Sequence, residues 1–289
     1  MDPRNLTVEE QTKLSPKEYR LMARRREWPA ELGTAYCCAG YAQVAPFMIP
    51  KEYAFEFLTF CHRNPRAMYV AEILDPGDPH PKLLATDADI RTDIARYRVY
   101  EYGEVVDEPE DIMKYWRDDL VTFFLNCSYG FEGVLRSLNI KFRNMGAYIT
   151  NIPAIPAGRF RCDSTWVSCR LFSSRRDAIR AIQVTSRLPI SHGCPIHIGD
   201  SAYIGIKDIM KPDECESIQI GTNVVYTPPT EPPKPNEVML FWHCALTPEI
   251  ALKNAVLPFA IQLYPSRLFI SDHLTEEFAY TEEIASNLV

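Results

Sequence analysis

The chain has 289 residues and a formal net charge of −7, from 31 Lys and Arg against 38 Asp and Glu. This acidic balance argues against a nucleic-acid partner, and no apolar run is long enough to span a membrane. The 23 prolines outnumber the 12 glycines, and neither G-x-G-x-x-G nor G-x-x-x-x-G-K-[ST] occurs, which argues against a nucleotide enzyme with a glycine-rich phosphate loop.

Helical and extended patterns alternate irregularly through the first half of the chain. Ser15 and Glu18 form a capping box that opens a helix. Apolar side chains from Pro109 to Phe123 recur at helical spacing and predict a long amphipathic helix, which breaks at 126–128. The other elements predicted in this half are helices at 15–27 and 50–64, a buried strand at 68–74 and a hairpin at 97–106.

The second half continues this mixture. Ser128 is placed to cap a helix, Ser174 precedes another that runs to about 188, and Asp200 caps a third. Five prolines between 228 and 235 predict an extended surface loop over residues 226–236. The remaining predicted elements are strands at 147–150, 165–172, 238–244, 260–264 and 267–271, and a helix from 247.

Strands and helices mix without a strict βαβ rhythm, which predicts an α/β (mixed α+β) fold. We expect one compact unit over residues 1–289, built from two intimately joined lobes, each a sheet with packed helices. The expected lobes are 1–110 with 190–289, and 111–189. Nine cysteines without a C-x-x-C pair are typical of free thiols in a reducing compartment, so we expect a cytoplasmic protein.

The first candidate site is a loop bounded by Pro and Gly. His192 and His197 lie there with Cys194 between them, Asp200 after them and Arg187 upstream. Histidine titrates near neutrality and suits proton transfer, and arginine binds carboxylates with paired hydrogen bonds. Three other readings stay open: a metal site on the two histidines and the cysteine, whose spacing fits no standard zinc pattern, buried histidines that satisfy loop carbonyls, and an aspartate that only caps its helix.

Four further segments contain polar residues suited to a small anion. Cys127 and Ser128 lie where a helix begins, and helix N-termini bind carboxylates and lower thiol pKa values, although a packed turn explains the same residues. Thr247 follows an apolar strand and is mainly a cap, with amides beside it. Arg117 lies in a charged segment that is most often solvated or ion-paired, and Asn151 lies in a stiff loop after a strand.

Taken in order, eight segments resemble the D-glutamate cyclase family, which is also catalogued as hydro-lyases. The segments are FLTFCHRNP (57–65), LDPGDP (74–79), DADIRTDIARYRVY (87–100), WRDDLVTFFLNCSYGFE (116–132), AYITNIPAIPAG (147–158), VTSRLPISHGCPIHIGD (184–200), VMLFWHCALTPE (238–249) and PFAIQLYPSRLFISD (258–272). The resemblance implies two joined lobes and loss of water from D-glutamate to give 5-oxo-D-proline. It also implies a mitochondrial location if the source is eukaryotic. His243 stands where relatives tend to have a small residue.

That activity sets the requirements of the site. The α-amine must lose a proton and attack the γ-carboxyl carbon, which then sheds oxygen as water, so the site needs a carboxylate anchor, a base, oxyanion donors and an acid. No cofactor and no metal is required. We hypothesise these roles: Arg187 as the anchor, His192 or His197 as the proton shuttle, Ser128 with its amides as the oxyanion donor, and Asn151 and Thr247 as orienting groups.

The expected partner is a small carboxylate or amino acid, with no nucleic acid and no membrane, and a homo-oligomer is compatible with the sequence. Two alternatives to a lyase remain. One is a non-catalytic protein that binds a small carboxylate such as 5-oxoproline, and the other is a metal-assisted hydrolase at the loop of His192 and His197.

Overall fold

Two larger antiparallel β-sheets and one two-stranded antiparallel sheet, which pairs residues 217–220 with 223–226, organise the chain in a computed structural model. It describes residues 5–280 apart from 216, 221, 222 and 227, and of residues 217–220 and 223–226 it describes the backbone only. The α-helices are α1 Val8–Lys13, α2 Pro16–Arg24, α3 Lys51–Arg63, α4 Tyr129–Ser137, α5 Arg175–Thr185 and α6 Thr247–Ala255. The strands are β1 Tyr41–Pro50, β2 Val70–Ile73, β3 Tyr97–Glu101, β4 Glu104–Asp107, β5 Leu120–Asn126, β6 Arg143–Ile149, β7 Trp166–Phe172, β8 His197–Ile198, β9 Ser217–Ile220, β10 Asn223–Tyr226, β11 Val238–His243, β12 Ala260–Leu263 and β13 Phe269–Leu274.

The larger sheet has the order β2-β5-β1-β12-β3-β4, with β13 also paired to β1. Its central strands β1 and β5 are buried almost throughout, and α3 packs on them through an aromatic cluster. The Phe57 ring stacks on Phe47 at 4.3 Å between centroids and meets Phe123 edge-on at 5.0 Å. Burial of such large rings dominates core energetics, so this cluster anchors the larger lobe.

The smaller sheet has the order β6-β7-β11-β8 and contains apolar clusters on both faces. On one face α4 and α5 pack against it, where Phe131 lies 4.8 Å from the Trp242 ring. On the other face Phe241 packs with Ile204 and Ile206. The two lobes and the mixed α/β class expected from the sequence are confirmed.

Two crossings join the sheets, and each begins with a helix. The chain leaves the larger sheet at β5, forms α4 and enters the smaller sheet at β6, and it returns from β11 through α6 to β12. Sheet membership therefore crosses the expected lobe boundaries, because residues 120–126 belong to the larger sheet and residues 238–243 to the smaller one.

The predicted helix from Pro109 to Phe123 is wrong. A single 3-10 turn covers Met113–Tyr115, and Leu120–Asn126 form a central strand that is buried throughout. A strand buried on both faces shows no alternation of polar and apolar residues, so its sequence is easily mistaken for a buried helix. By contrast, the capping box is confirmed, with the Ser15 hydroxyl accepting from the backbone N–H of Glu18.

The helices of the described residues are all too short or too polar to cross a bilayer. The described cysteines are free thiols, as expected. Cys37, Cys38, Cys61, Cys127, Cys162 and Cys169 are buried. Part of the predicted proline-rich loop, at residue 227, lies outside the described residues.

Gly133 fixes the position of α4 against the larger sheet. A Cβ atom at this position would overlap the backbone nitrogen of Gly40 and lie 3.0 Å from its Cα. We expect Gly133→Ala to lower the free energy of unfolding by about 2 kcal/mol, as other overpacked sites do. Urea denaturation tests this, with Ser137→Ala on the exposed face of the same helix as the control. Equal stability of the two variants would contradict the close approach.

Candidate active site

A cavity lies between the two sheets, where both crossings begin. It encloses about 530 Å³, including its opening to solvent. We call it the central cavity. Its wall is formed by Cys127, Ser128, Tyr129, Asn144, Gly146, Ala147, Ser168, Arg170, Glu214, Cys215, Cys244, Ala245, Leu246, Leu263, Ser266 and Leu268.

The N-termini of α4 and α6 both open into the central cavity. Ser128 and Leu246 are the N-cap residues, and within the described chain no side chain caps either of these two helices. The first N–H groups of a helix lack helical partners, and the helix dipole adds partial positive charge there. At α6 the Thr247 and Glu249 N–H groups already donate to the Cys244 and Leu246 carbonyls, and Pro248 has no N–H, so this end contributes mainly the partial positive charge of its dipole. With the start of α4 on the same wall, the cavity suits an anionic ligand.

A cysteine precedes each of these helix starts. Cys127 and Cys244 both lie on the cavity wall beside helix N-termini, which lower thiol pKa values. Burial nevertheless raises the pKa of both thiols, to about 11 for Cys244. Both are therefore protonated at neutral pH, which argues against a thiolate nucleophile at Cys127.

Arg170 on β7 brings a buried guanidinium to the cavity wall. Its Nε donates to the buried Glu132 carboxylate at 2.9 Å, and its Nη2 contacts the same carboxylate and donates to the Ser128 hydroxyl at 3.2 Å. The Ser168 hydroxyl lies 3.4 Å from that of Ser128. Because Glu132 and Ser128 both bind the guanidinium, the charge of Arg170 is positioned before any ligand binds.

Glu214 brings a carboxyl group to the wall through a bulge in β6. The backbone N–H of Ala147 donates to the Glu214 carbonyl at 2.9 Å, and the Glu214 N–H donates back at 3.2 Å. The chain passes Gly146 with a φ of +102°, and a Cβ there would lie 3.0 Å from the Glu214 carbonyl oxygen. Burial raises the pKa of the Glu214 carboxyl above its ordinary value.

Of the predicted site residues, Cys127 and Ser128 line the central cavity. Asn151 and Arg117 are exposed, and Arg117 forms an ion pair with Asp119 at 2.6 Å. The buried Thr247 hydroxyl accepts from the Trp166 backbone N–H at 3.1 Å, so it holds α6 to the smaller sheet. These last three side chains are not part of the cavity wall.

The predicted histidine loop also lies outside the wall. His192 is buried, with its Nδ1 2.9 Å from the Arg66 carbonyl, and burial lowers its pKa to about 3. His197 Nε2 lies 2.7 Å from the Asp200 carbonyl, and the Asp200 carboxylate accepts from the Ala202 N–H at the start of a 3-10 turn. Arg187 is exposed.

The described part of the chain contains no group of three His, Cys, Asp or Glu side chains placed to hold a metal ion. Arg170 and Glu214 belong to no local motif and were missed by the sequence analysis. They line one cavity because of the register between β6 and β7 and the pairing of Glu214 with Ala147.

The chain is similar to proteins that are named as hydro-lyases. A protein of Bacillus licheniformis named "putative hydro-lyase" is 40% identical over 271 residues, which cover 92% of this chain and 97% of that protein. The "putative hydro-lyase YcsI" of Bacillus subtilis is 38% identical over 272 residues, covering 92% and 99%.

A solved structure of a nitrogen repressor-like protein from Methanococcus jannaschii aligns with 90% of this chain and 99% of its own chain. The TM-score is 0.37 and the sequence identity 10%, so this similarity is too weak to support an argument. The family model described as D-glutamate cyclase matches residues 121–272, which include every residue named in the cavity wall. The chain belongs to the D-glutamate cyclase family.

Proposed function

We propose that the protein is a hydro-lyase that converts D-glutamate to 5-oxo-D-proline in the central cavity. Family membership and the hydro-lyase names of its relatives support the reaction class. The observation that supports the substrate class is the Arg170 guanidinium beside the start of α4, with the dipole of α6 adding partial positive charge to the same wall. Glutamate has two carboxylates, and a wall of positive charge suits both.

Binding both ends of glutamate in one small cavity favours ring closure. The α-amine must reach the γ-carboxyl carbon, and holding the chain folded removes much of the entropic cost of that approach. The developing tetrahedral oxyanion needs donors that are already in place. Backbone N–H groups at the start of α4, together with the Ser128 hydroxyl that Arg170 fixes at 3.2 Å, are suited to that role.

The experiment is to incubate the purified protein with D-glutamate and measure 5-oxoproline by chiral chromatography. L-glutamate tests stereochemistry, and D-aspartate, which is shorter by one methylene and would close only to a strained four-membered ring, is the negative control. We expect 5-oxo-D-proline to form from D-glutamate above the uncatalysed rate. Tight binding of D-glutamate or 5-oxoproline without turnover would instead favour a carboxylate-binding protein and contradict the lyase.

A further inference from the structure

Glu214 differs from the other acidic groups near the central cavity. Within the described residues its carboxylate has no hydrogen-bond or ion-pair partner, although it is half-buried in the wall. Glu132 and Glu249, by comparison, are each held by two basic side chains. A partly buried carboxylate without a cation is costly, so it is suited to a cationic or proton-bearing ligand.

The backbone holds this carboxylate in place. Glu214 exchanges two hydrogen bonds with Ala147, and the Asp213 N–H also donates to the Ala147 carbonyl at 3.0 Å. The Asp213 carboxylate in turn accepts from the Ile149 N–H at 2.8 Å. Residue 214 is therefore fixed to an ordered strand on the side of the cavity formed by β6.

The charged groups that act on Glu214 are already engaged with other partners. Arg98 on β3 pairs with Glu108 at 2.9 Å and with Glu249 of α6 at 3.4 Å. Arg267 donates to the carbonyls of Ala30 and Pro265, at 2.9 and 2.7 Å. Both arginines stabilise the charged carboxylate, whereas Glu249 and burial oppose it.

The cavity groups complete the surroundings of Glu214. The Cys244 thiol, at the start of α6, lies within electrostatic range of both Glu214 and Arg170. Glu214 and the first residues of α4 and α6 line the same cavity, in which Arg170 provides the positive charge for the ligand's carboxylates. In this arrangement the α-ammonium of glutamate is the ligand group that Glu214 is suited to contact.

We propose that Glu214 binds the α-ammonium of the substrate and transfers its protons to the departing oxygen, an inference that rests on the proposed function. As the N–C bond forms and a γ-carboxyl C–O bond breaks, two protons leave the nitrogen. Glu214 accepts each proton and passes it to the same oxygen, which departs as water, so the carboxylate ends in its starting charge state. Burial raises the pKa of this carboxyl above its ordinary value, which makes the carboxylate a stronger base.

The test compares two ligands and three variants of the full chain. Calorimetry measures the affinity of D-glutamate and of glutarate, which has both carboxylates but no ammonium. For Glu214→Gln we expect about tenfold weaker binding of D-glutamate, as when a hydrogen bond to a charged group is lost, and unchanged binding of glutarate. We also expect kcat/KM to fall by about 100-fold or more. The pH profile of kcat/KM should lose the step that comes from the titration of this carboxyl.

Two control variants sharpen the comparison. Glu214→Asp should recover part of the activity, and Glu231→Gln, the same change at an exposed position, should match the wild type. Unchanged D-glutamate affinity and activity in Glu214→Gln would overturn this inference alone. A wild-type protein that binds glutarate but not D-glutamate would overturn both the inference and the proposed function. Binding of D-glutamate without turnover would overturn the proposed function and the proton transfer, and the ammonium contact would then stand only if Glu214→Gln still weakened D-glutamate binding.

Discussion

Arg170→Met is expected to abolish cyclisation and to lower the free energy of unfolding by about 3–5 kcal/mol, the usual cost of breaking a buried ion pair. Arg170 is buried and holds the equally buried Glu132, so the variant leaves a carboxylate in the core without its nearest cation. The same change removes the guanidinium from the cavity wall. Urea denaturation and the 5-oxoproline assay measure the two effects separately.

A double variant distinguishes the structural role of Arg170 from its role in the site. Adding Glu132→Gln removes the uncompensated charge, so Arg170→Met/Glu132→Gln should regain much of the lost stability but none of the activity. The matched control is Arg136→Met, which removes the exposed partner of the same Glu132 and should cost at most about 1 kcal/mol. A stable and fully active double variant would show that Arg170 serves the fold only.

Acid is expected to destabilise the protein between about pH 6.5 and pH 4 through two buried histidines. Burial lowers the pKa of His192 to about 3 and that of His243 to about 4. Because these folded-state values lie below the ordinary value of 6.5, the unfolded chain takes up more protons as the pH falls. The two neutral histidines contribute fully to the free energy of unfolding above about pH 6.5. Below that pH their contribution falls by about 1.4 kcal/mol per pH unit for each fully titrating group.

Urea denaturation at a series of pH values tests this dependence. His192→Asn is a suitable variant, because asparagine tolerates the φ of +71° at this position and its amide can donate to the Arg66 carbonyl. The variant should reduce the slope of the free energy of unfolding against pH by about 1.4 kcal/mol per pH unit, which corresponds to the uptake of one proton. The exposed His62→Asn should keep the wild-type slope. Equal slopes in all three proteins would contradict a buried neutral His192.

Local signals explain which parts of the fold were predictable. The capping box at Ser15 and Glu18 involves neighbours in sequence, and it fixes a helix without reference to the rest of the chain. Leu120–Asn126 carry no such signal, because both faces of this strand are buried by residues distant in sequence. Hydrophobic periodicity alone therefore assigned its first residues to a helix.

In the candidate site, too, local sequence signals indicated some residues and not others. The helix start at Cys127 and Ser128 was predicted from its sequence as a candidate anion site, and both residues line the central cavity. The histidine loop was predicted as a site because histidines are common in catalysis. His192 is instead buried away from the cavity, and this burial lowers its pKa too far for proton transfer near neutral pH. Arg170 and Glu214 could not be found, since only strand register and a bulge at Gly146 bring them together.

A crystal structure with 5-oxo-D-proline bound tests most directly whether the central cavity is the active site. The expected result is product with its carboxylate at a helix N-terminus, between α4 and α6, and its ring within contact distance of Arg170 or Glu214. Product bound instead at the loop of His192 and His197, with the central cavity occupied by solvent alone, would contradict this assignment.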